Sequence, residues 1–422
     1  MRSWAKPVSW AASVASVAAA VCGAAAGVML LGACTSCAST VRETAMPVLA
    51  TGYFDGIEAD QANHRIFLAD RKDSGIDVID TSGATPKFLG TIDLGAPSNG
   101  LAFAPDRHRL YAGIEGGSLA VVDMNKGSAA YLKKIDEVKV DPATADLIDY
   151  SPKTGRVYVS TSEGGKVVVV DAATDKVVDN YDLKTPLEQP RYNPADGKLY
   201  VTAHGANYLL QVNPADGSVT RRYTLSARCR PNGLAINPGR QLALVACGSS
   251  VVLIKLDTGL NSISLKVPGG DIAAYDTRLD RFTVGSAHGP RDSSIAVMDG
   301  HGNFVGSVPA ASNSKGAVFD DASGLVYAVG AAGLLSFSPS QCAPPPDWLT
   351  FAGGVAVYAT PMLLFVLFLI WYARHRARRD PRKPAGPTWD ELRDEDHIRE
   401  RERIRELEDA IYGPVVEPGF EG

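Results

Sequence analysis

A thirteen-residue frame occurs seven times between residues 55 and 327, and this repetition restricts the fold of the chain more than any other feature. Each frame opens on a polar or charged residue and joins two short β-forming runs through a turn rich in Pro, Asp, Gly or Asn. The frames are DGIEADQANHRIF from Asp55, NGLAFAPDRHRLY from Asn99, DLIDYSPKTGRVY from Asp146, EQPRYNPADGKLY from Glu188, NGLAINPGRQLAL from Asn232, DIAAYDTRLDRFT from Asp271 and KGAVFDDASGLVY from Lys315. Their starts are 44, 47, 42, 44, 39 and 44 residues apart.

A period in the low forties, built from short strands and turns, is typical of a β-propeller. Seven blades of about forty residues fit within residues 47–340, so the sequence predicts an all-β, seven-bladed β-propeller. The third strand of most repeats ends on Asp or Asn, which we interpret as turn chemistry. The seventh repeat is one strand short, and we expect the run MPVLATGY, residues 46–53, to complete it and close the ring.

Residues 1–34 are typical of an export signal. Two basic residues, Arg2 and Lys6, precede a long uncharged Ala/Val-rich stretch that ends in LGAC at Cys34. This ending resembles the lipobox of bacterial lipoproteins, in which the Cys is lipidated. Cleavage by the ordinary signal peptidase and an uncleaved signal anchor are the alternatives, and all three carry the propeller across the membrane.

A second apolar segment, residues 348–372, contains no charged residue over 25 positions and predicts a transmembrane helix. The basic linker 373–387 follows it, so the positive-inside rule predicts a cytoplasmic tail and an extracytoplasmic propeller. A Thr388 and Glu391 capping box then predicts an amphipathic helix over residues 388–412, followed by a disordered end at 413–422. We expect this helix to be either solvated or a docking element for a partner.

The cysteines agree with an oxidising compartment. Folding the two strands of the fifth frame about Pro238-Gly239 places Cys229 opposite Cys247, which predicts a disulfide, with two free thiols as the alternative. Cys37 precedes the propeller and Cys342 follows it. Circular closure brings these ends together, so a Cys37–Cys342 disulfide competes with a lone thiol near the lipid anchor.

The frame starts predict the site, because the first residues of inner strands converge on the central channel of a propeller. The predicted ring consists of Asp55, Asn99, Asp146, Glu188, Asn232, Asp271 and Lys315. Carboxylate and amide oxygens are ligands for Ca²⁺ or another divalent cation, and such a cation would relieve the repulsion among the carboxylates. The alternative is a ring that hydrogen-bonds loop amides and encloses water.

Other polar residues are expected on the same face. His204 and His288 follow the second strand of blades 4 and 6, and we interpret them as exposed loop residues rather than ligands or general bases. Arg191 and Arg230 are candidates for binding an anionic ligand, with loop salt bridges as the alternative. The sequence has no catalytic-triad signature, phosphate-binding loop, dinucleotide fingerprint or haem-attachment motif, so it identifies no catalytic residue and no certain cofactor.

The strand pattern RVYVST and KLYVTA, together with VID or VVD about a dozen residues later, resembles the YVTN-type seven-bladed β-propellers, which are mostly exported bacterial proteins. This resemblance covers residues 50–340. Two short stretches, PSNGLAFAPD and RPNGLAINPG, resemble the gluconolactonase and regucalcin group, whose metal is held by Asn and acidic residues at strand starts. That second resemblance implies metal binding at Asn99, Asn232 and Asp271. The chain departs from this group in two ways. The group has six blades rather than seven, and its initial Glu-containing motif has no counterpart here, since Glu58 comes three residues too late in its frame.

These patterns predict a membrane-anchored, extracytoplasmic propeller of the bacterial envelope that binds a ligand or protein partner through the ring face and the tail helix. The alternative is a divalent-metal-dependent, lactonase-like hydrolase that uses the acidic ring. A formal net charge of −5 and the absence of a Lys/Arg stripe argue against a nucleic-acid partner.

Overall fold

Seven four-stranded antiparallel sheets follow one another along the part of the chain that the structure describes. The computed structural model describes residues 37–142, 144–225, 229–248, 250–264, 267, 270–286, 293–313, 315–342, 361–375 and 389–412. The chain divides into two compact units, Met1–Pro346 and Asp347–Gly422. The predicted seven-bladed, all-β propeller is confirmed in the first unit.

The strands are short and bounded by tight turns, as the frames predict. Before the first frame lies β1 (Arg42–Ala45). Blades 1 to 3 contain β2 (Phe54–Asp60), β3 (Arg65–Asp70), β4 (Gly75–Asp80) and β5 (Lys87–Asp93); β6 (Ser98–Ala104), β7 (Arg109–Ile114), β8 (Ser118–Asp123) and β9 (Lys134–Lys139); and β10 (Ile148–Ser151), β11 (Arg156–Thr161), β12 (Lys166–Asp171) and β13 (Lys176–Asp182).

Blades 4 to 7 have the same order of strands from the channel outward. They contain β14 (Pro190–Asn193), β15 (Lys198–Ala203), β16 (Tyr208–Val212) and β17 (Val219–Thr224); β18 (Pro231–Asn237), β19 (Leu242–Cys247), β20 (Val251–Lys255) and β21 (Asn261–Ser264); β22 (Gly270–Asp276), β23 (Arg281–Ser286), β24 (Ser294–Asp299) and β25 (Phe304–Pro309); and β26 (Val318–Asp320), β27 (Leu325–Val329) and β28 (Gly333–Phe337). Short 3-10 turns lie at Cys37–Thr40, Pro105–Arg107 and Pro339–Gln341.

The core is divided into seven apolar clusters, and each cluster lies between two consecutive blades. Second and third strands rich in Val, Leu, Ile and Tyr supply most of these side chains, because both faces of each sheet are covered by a neighbour. The outer strands are largely exposed, as β13 illustrates. Each blade therefore depends on the blades on either side for its apolar burial.

Polar residues at the ends of third strands act in turns, as predicted. The Asp80 side chain accepts a hydrogen bond from the backbone N–H of Ser82 at 2.9 Å, and Asp123 accepts one from Asn125 at 2.8 Å. These contacts replace backbone partners lost where the strand ends.

The seventh blade is completed by a strand from the N-terminal side, although not by the predicted one. Strand β1 pairs with β28 in antiparallel register, with Glu43 opposite Leu335. The prediction that residues 46–53 complete the blade is wrong, because Pro47–Thr51 form a short helix, α1. Proline lacks a backbone N–H and fits the first turn of a helix, where that N–H has no partner.

The predicted Cys229–Cys247 disulfide is present, and so is the Cys37–Cys342 disulfide, which the sequence left open against a lone thiol. Cys229 and Cys247 join across blade 5 with their Cα atoms 4.6 Å apart. Cys37 and Cys342 join the two ends of the propeller, with a Cα–Cα distance of 4.4 Å and a sequence separation of 305 residues. The second disulfide thus closes the ring covalently beside the β1–β28 pair.

In the second unit, residues 361–375 are helical and exposed, and helix α2 spans Trp389–Tyr412. Among the described residues, no helix combines the length and apolar character needed to cross a membrane. Several predicted segments lie outside the described residues: the export signal 1–34 with Cys34, residues 348–360 of the predicted span, most of the linker 373–387, and the end 413–422.

We expect the two disulfides to differ in their contribution to stability. Replacing both cysteines of the Cys37–Cys342 pair by Ala should lower the free energy of unfolding by about 5 kcal/mol, and the same change at Cys229 and Cys247 by about 3 kcal/mol, because the longer closed loop restricts the unfolded chain more. Urea unfolding of the oxidised proteins measures both values. Equal losses, or a larger loss for the Cys229 and Cys247 pair, would contradict this account.

Candidate functional site

The seven predicted ring residues occupy equivalent positions at the channel end of the inner strands. Four of them lie in β-bulges, where pairing with the second strand is interrupted: Asp55, Asn99, Asn232 and Asp271. The other three, Asp146, Glu188 and Lys315, stand two or three residues before β10, β14 and β26. A bulge removes a residue from the regular alternation of the strand. Local backbone irregularity therefore frees these side chains from the sheet.

Backbone hydrogen bonds join the ring positions of neighbouring blades. The N–H of Gly100 donates to the carbonyl of Asp146 at 3.1 Å, and the N–H of Ile272 donates to the carbonyl of Lys315 at 3.1 Å. A Cβ atom on Gly100 would lie 2.7 Å from the Cα of Leu147, so only glycine fits this approach. The glycine after the ring residue in several frames is thus explained by contact between blades.

Lys315 supplies a cation within the acidic ring. Its Nζ atom lies 2.9 Å from Asp55 Oδ1 and 3.8 Å from Asp271 Oδ2. The same Nζ stands 5.8 Å from the ring centre of Tyr53, an exposed aromatic residue. Burial lowers the pKa of Lys315, but the negative charges of Asp55 and Asp271 outweigh burial and raise that pKa above its usual range. Lys315 therefore keeps its positive charge at neutral pH.

Arg71, which the sequence reasoning missed, is the second cation of the ring. Its guanidinium donates to Asp55 Oδ2 at 3.3 Å and also to Asn99 Oδ1 and Glu115 Oε1. The buried Asn99 side chain in turn donates to the carbonyl of Ala145 at 2.8 Å. Asn99 therefore has both ends of its amide engaged and serves to hold the mouth together.

A regular spacing could have revealed Arg71. It lies sixteen residues after its ring residue, directly after the second strand, and the same offset leads to Glu115, Ser162 and His204 in blades 2, 3 and 4. Each of these side chains contacts the ring: Glu115 through Arg71, Ser162 through a hydrogen bond to Asp146, and His204 through Asn232. We call the seven ring residues and these four the channel mouth.

Carboxylates of the mouth are held in an unfavourable environment. Burial, together with the negative charges of Asp146 and Asp271, raises the pKa of Glu188 to about 8. Burial also raises the pKa of Asp271 to about 6, although Lys315 opposes this shift. The pKa of Asp146 is raised by burial against the hydrogen bond from Ser162. Carboxyl groups with strongly shifted pKa values are characteristic of functional sites.

Of the two histidines predicted on this face, the structure describes only His204. His204 is half-buried and its Nδ1 lies 2.9 Å from Asn232 Oδ1 and 4.0 Å from Glu188 Oε1. It is therefore a contact residue of the mouth rather than a free loop residue. His288 lies outside the described residues.

Arg191 belongs to a second, deeper layer of the channel. Its guanidinium lies 3.4 Å from Asp149 Oδ1, and both residues stand three positions after a ring residue. Glu58 occupies the same position in blade 1, where burial raises its pKa to about 7 against the opposing charge of Arg191. Arg191 thus forms a salt bridge, the alternative that the sequence left open. Arg230 is exposed, and its backbone N–H donates to the side chain of Asn207 at 3.0 Å.

The mouth does not match the donor geometry of a divalent metal centre. Within the described ranges, no three His, Cys, Asp or Glu side chains converge closely enough to hold a metal ion. The ammonium of Lys315 lies against both Asp55 and Asp271, where a metal bound by these two carboxylates would have to sit. Calcium sites in proteins need six to eight converging oxygen atoms.

Comparisons with known proteins add information about the fold. No family model and no curated protein matches this chain. A solved structure of similar fold is the selenomethionine-substituted virginiamycin B lyase from Staphylococcus aureus, with 14% sequence identity and a TM-score of 0.56. The match covers 70% of this chain and 98% of the lyase chain. At this identity the similarity concerns the propeller fold alone, and the YVTN-type resemblance stays a prediction.

Glu188 should make the propeller less stable as the pH rises. Its carboxyl group has a pKa of about 8 in the folded protein against 4.5 ordinarily, so the folded state binds more protons than the unfolded state between these values. The free energy of unfolding therefore falls as the pH rises through this window. We expect Glu188→Gln to flatten this dependence and to add about 1–2 kcal/mol at about pH 8.

Urea unfolding at a series of pH values measures the effect, with Glu163→Gln, a change at an exposed carboxylate, as the matched control. If Glu188→Gln kept the slope of the unmodified protein, the environment assigned to Glu188 would be wrong.

Proposed function

We propose that this protein is a membrane-anchored, extracytoplasmic β-propeller of the bacterial envelope that binds a ligand or a partner protein at its channel mouth. The observation that carries the proposal is the concentration of energetically unfavourable carboxylates at one half-exposed place, with Glu188 and Asp271 both shifted upward in pKa. Buried charge that costs stability is retained where it has a use in binding or catalysis.

The charge of the mouth favours a ligand that presents a cationic group. Five carboxyl groups lie at the mouth, against the two cations Arg71 and Lys315: Asp55, Glu115, Asp146, Glu188 and Asp271. Because the pKa of Glu188 is raised to about 8, this group holds a proton near neutral pH, and a bound cation would favour loss of that proton. Both cations contact the blade 1 carboxylate Asp55, whereas Asp146 and Glu188 face the channel from blades 3 and 4. A mouth with this excess of negative charge attracts cations and raises their local concentration.

Export and anchoring are supported by separate features. Two disulfides are typical of proteins in an oxidising compartment. In this proposal the segment 1–34 directs export, with Cys34 as the lipidation site, and residues 348–372 hold the chain in the membrane. The linker 373–387 and helix α2 then lie in the cytoplasm, where the exposed Ile404 and Leu407 offer a second contact for the partner.

The alternative of a divalent-metal-dependent lactonase has less support. That reaction requires a metal with an open coordination position to polarise the lactone carbonyl. The described part of the mouth instead places the Lys315 ammonium between two of the carboxylates on which such a metal would depend. A binding role requires no metal and fits the paired charges directly.

Photo-crosslinking in cells tests the binding role. A photoreactive amino acid at the half-exposed Glu115 of the full chain should give a discrete adduct in the membrane fraction, because Glu115 borders the mouth. The matched control is the same amino acid at Lys126, an exposed residue in a loop on the opposite face of the propeller. Equal adducts from both positions, or none from Glu115, would count against binding at the mouth.

Calorimetry tests the preference for a cation. Nα-acetyl-lysine methylamide should bind the full chain, whereas the norleucine analogue, which lacks only the ammonium group, should not. Glu188→Gln should weaken the binding about tenfold, since a charge-assisted hydrogen bond is lost. Asp179→Asn, at an exposed outer-strand carboxylate, serves as the control and should leave the affinity unchanged.

Two results would argue against this preference. Equal binding of the norleucine analogue would show that the charge is irrelevant. One Ca²⁺ bound per chain and lost in Asp271→Asn would favour the lactonase alternative instead.

A further inference from the structure

Two fully buried carboxylates lie at the seam between blade 1 and blade 7, and the first of them directly precedes the mouth residue Arg71. Asp70 ends β3 and Asp77 lies in β4, and neither side chain is exposed to solvent. Each carboxylate has one oxygen, Oδ2, without a hydrogen-bond partner among the described residues. An ionised carboxylate in this state is costly, because it has lost water without gaining a full set of partners.

Strand register places the two carboxylates on the same face of the blade. Asp77 is opposite Leu68 and Asp70 is opposite Gly75, so the two acids are diagonal neighbours, with no side chain at Gly75 to separate them. Diagonal side chains on one face of an antiparallel pair lie within reach of each other. The negative charge of Asp70 accordingly contributes to the raised pKa of Asp77.

The face that carries them is the one that closes the ring. Its apolar residues Ile66 and Leu68 pack with Leu49 of α1 and with Tyr327 and Val329 of blade 7 in a single cluster. This is the seam where the last blade meets the first, next to the segment that follows strand β1.

Asp70 also holds that segment directly. Its Oδ1 accepts backbone hydrogen bonds from Tyr53 at 3.4 Å, Lys72 at 2.9 Å and Asp73 at 3.3 Å. The Oδ1 atom of Asp77 accepts a hydrogen bond from Thr91 at 2.6 Å. One oxygen of each carboxylate thus accepts hydrogen bonds that hold the local structure, and the two remaining oxygens lie on the same buried face.

Among the residues that the structure describes, the charged surroundings supply no compensating cation. Asp73 adds negative charge, the Lys72 ammonium donates to the carbonyl of Thr51, and Arg71 is engaged at the mouth. Helix α1 contains no ionisable side chain, and the titratable group of blade 7 in the shared cluster is Tyr327, whose pKa is raised by burial. A bound proton is therefore the simplest way to neutralise this pair.

We propose that Asp77, buried beside Asp70, is a proton-binding group that tightens the seam of the propeller in acid and loosens it as the pH rises. In the protonated state the Asp77 carboxyl group is neutral and can remain in the apolar face. After ionisation two negative charges share that face, which favours local opening of β3, β4 and the segment 47–54.

The pH range over which the seam is expected to loosen follows from the environment of Asp77. Burial is the main cause that raises the pKa of this group from 3.8 to about 6. The folded seam therefore holds a proton that the open seam releases, and the closed state loses stability as the pH rises through about 6. From about pH 5 to about pH 7.5, this linkage corresponds to an increase of about tenfold in the local opening constant.

Hydrogen exchange of the full chain, followed by mass spectrometry and corrected for the intrinsic effect of pH, measures this opening. Peptides that cover residues 47–54 and 65–80 should show the tenfold increase between the two pH values. Asp77→Asn keeps the shape of the side chain without its charge, and it should remove the pH dependence in these peptides. Asp136→Asn, at an exposed outer strand, should behave as the unmodified protein.

A second variant keeps the test independent of how well Asp77→Asn folds. Asp70→Asn removes the neighbouring charge and should move the transition in the same peptides to lower pH. Peptides from the mouth are compared in parallel, because Glu188 and Asp271 titrate there. The proposal is overturned if the seam peptides of the unmodified protein open equally at both pH values, or if Asp77→Asn retains the dependence.

Discussion

Closure of the ring between blade 7 and blade 1 is the interaction on which the rest of the structure depends. Each apolar cluster lies between two blades, so a sheet at an open end would leave one face in water. The chain prevents this by pairing β1 with β28 and by joining Cys37 to Cys342. Short sheets that bury little alone become stable because every blade has two neighbours.

Closure also creates the channel mouth. Only in a closed ring do the starts of seven inner strands face one another, and only then do Arg71 of blade 1 and Lys315 of blade 7 meet at Asp55. The β-bulges contribute by turning ring residues out of the sheet alternation. The mouth is therefore a product of the seam as well as of the repeat, although its carboxylates come from several blades.

The polar groups of the propeller divide into two kinds. Some are well satisfied, such as Asn99, whose amide contacts Arg71 and the carbonyl of Ala145. Others remain in unfavourable surroundings, namely Glu188 at the mouth and Asp77 at the seam. Both have raised pKa values for the same reason, since burial and a nearby carboxylate each oppose ionisation. Their sites differ in access, because Asp77 is buried whereas Glu188 faces a half-exposed mouth.

The seven blades, the strand starts that carry the ring residues and the cysteine pair Cys229–Cys247 can be predicted from local pattern, because strand period and turn chemistry act over a few residues. The segment that closes the ring depends on long-range packing, since Pro47 starts a helix and residues 42–45 pair with β28. Tertiary structure also decided that Arg71 contacts Asp55 and Asn99 and that Arg191 pairs with Asp149 in a deeper layer. Those contacts depend on how far one blade is rotated from the next, and a local sequence pattern does not specify that rotation.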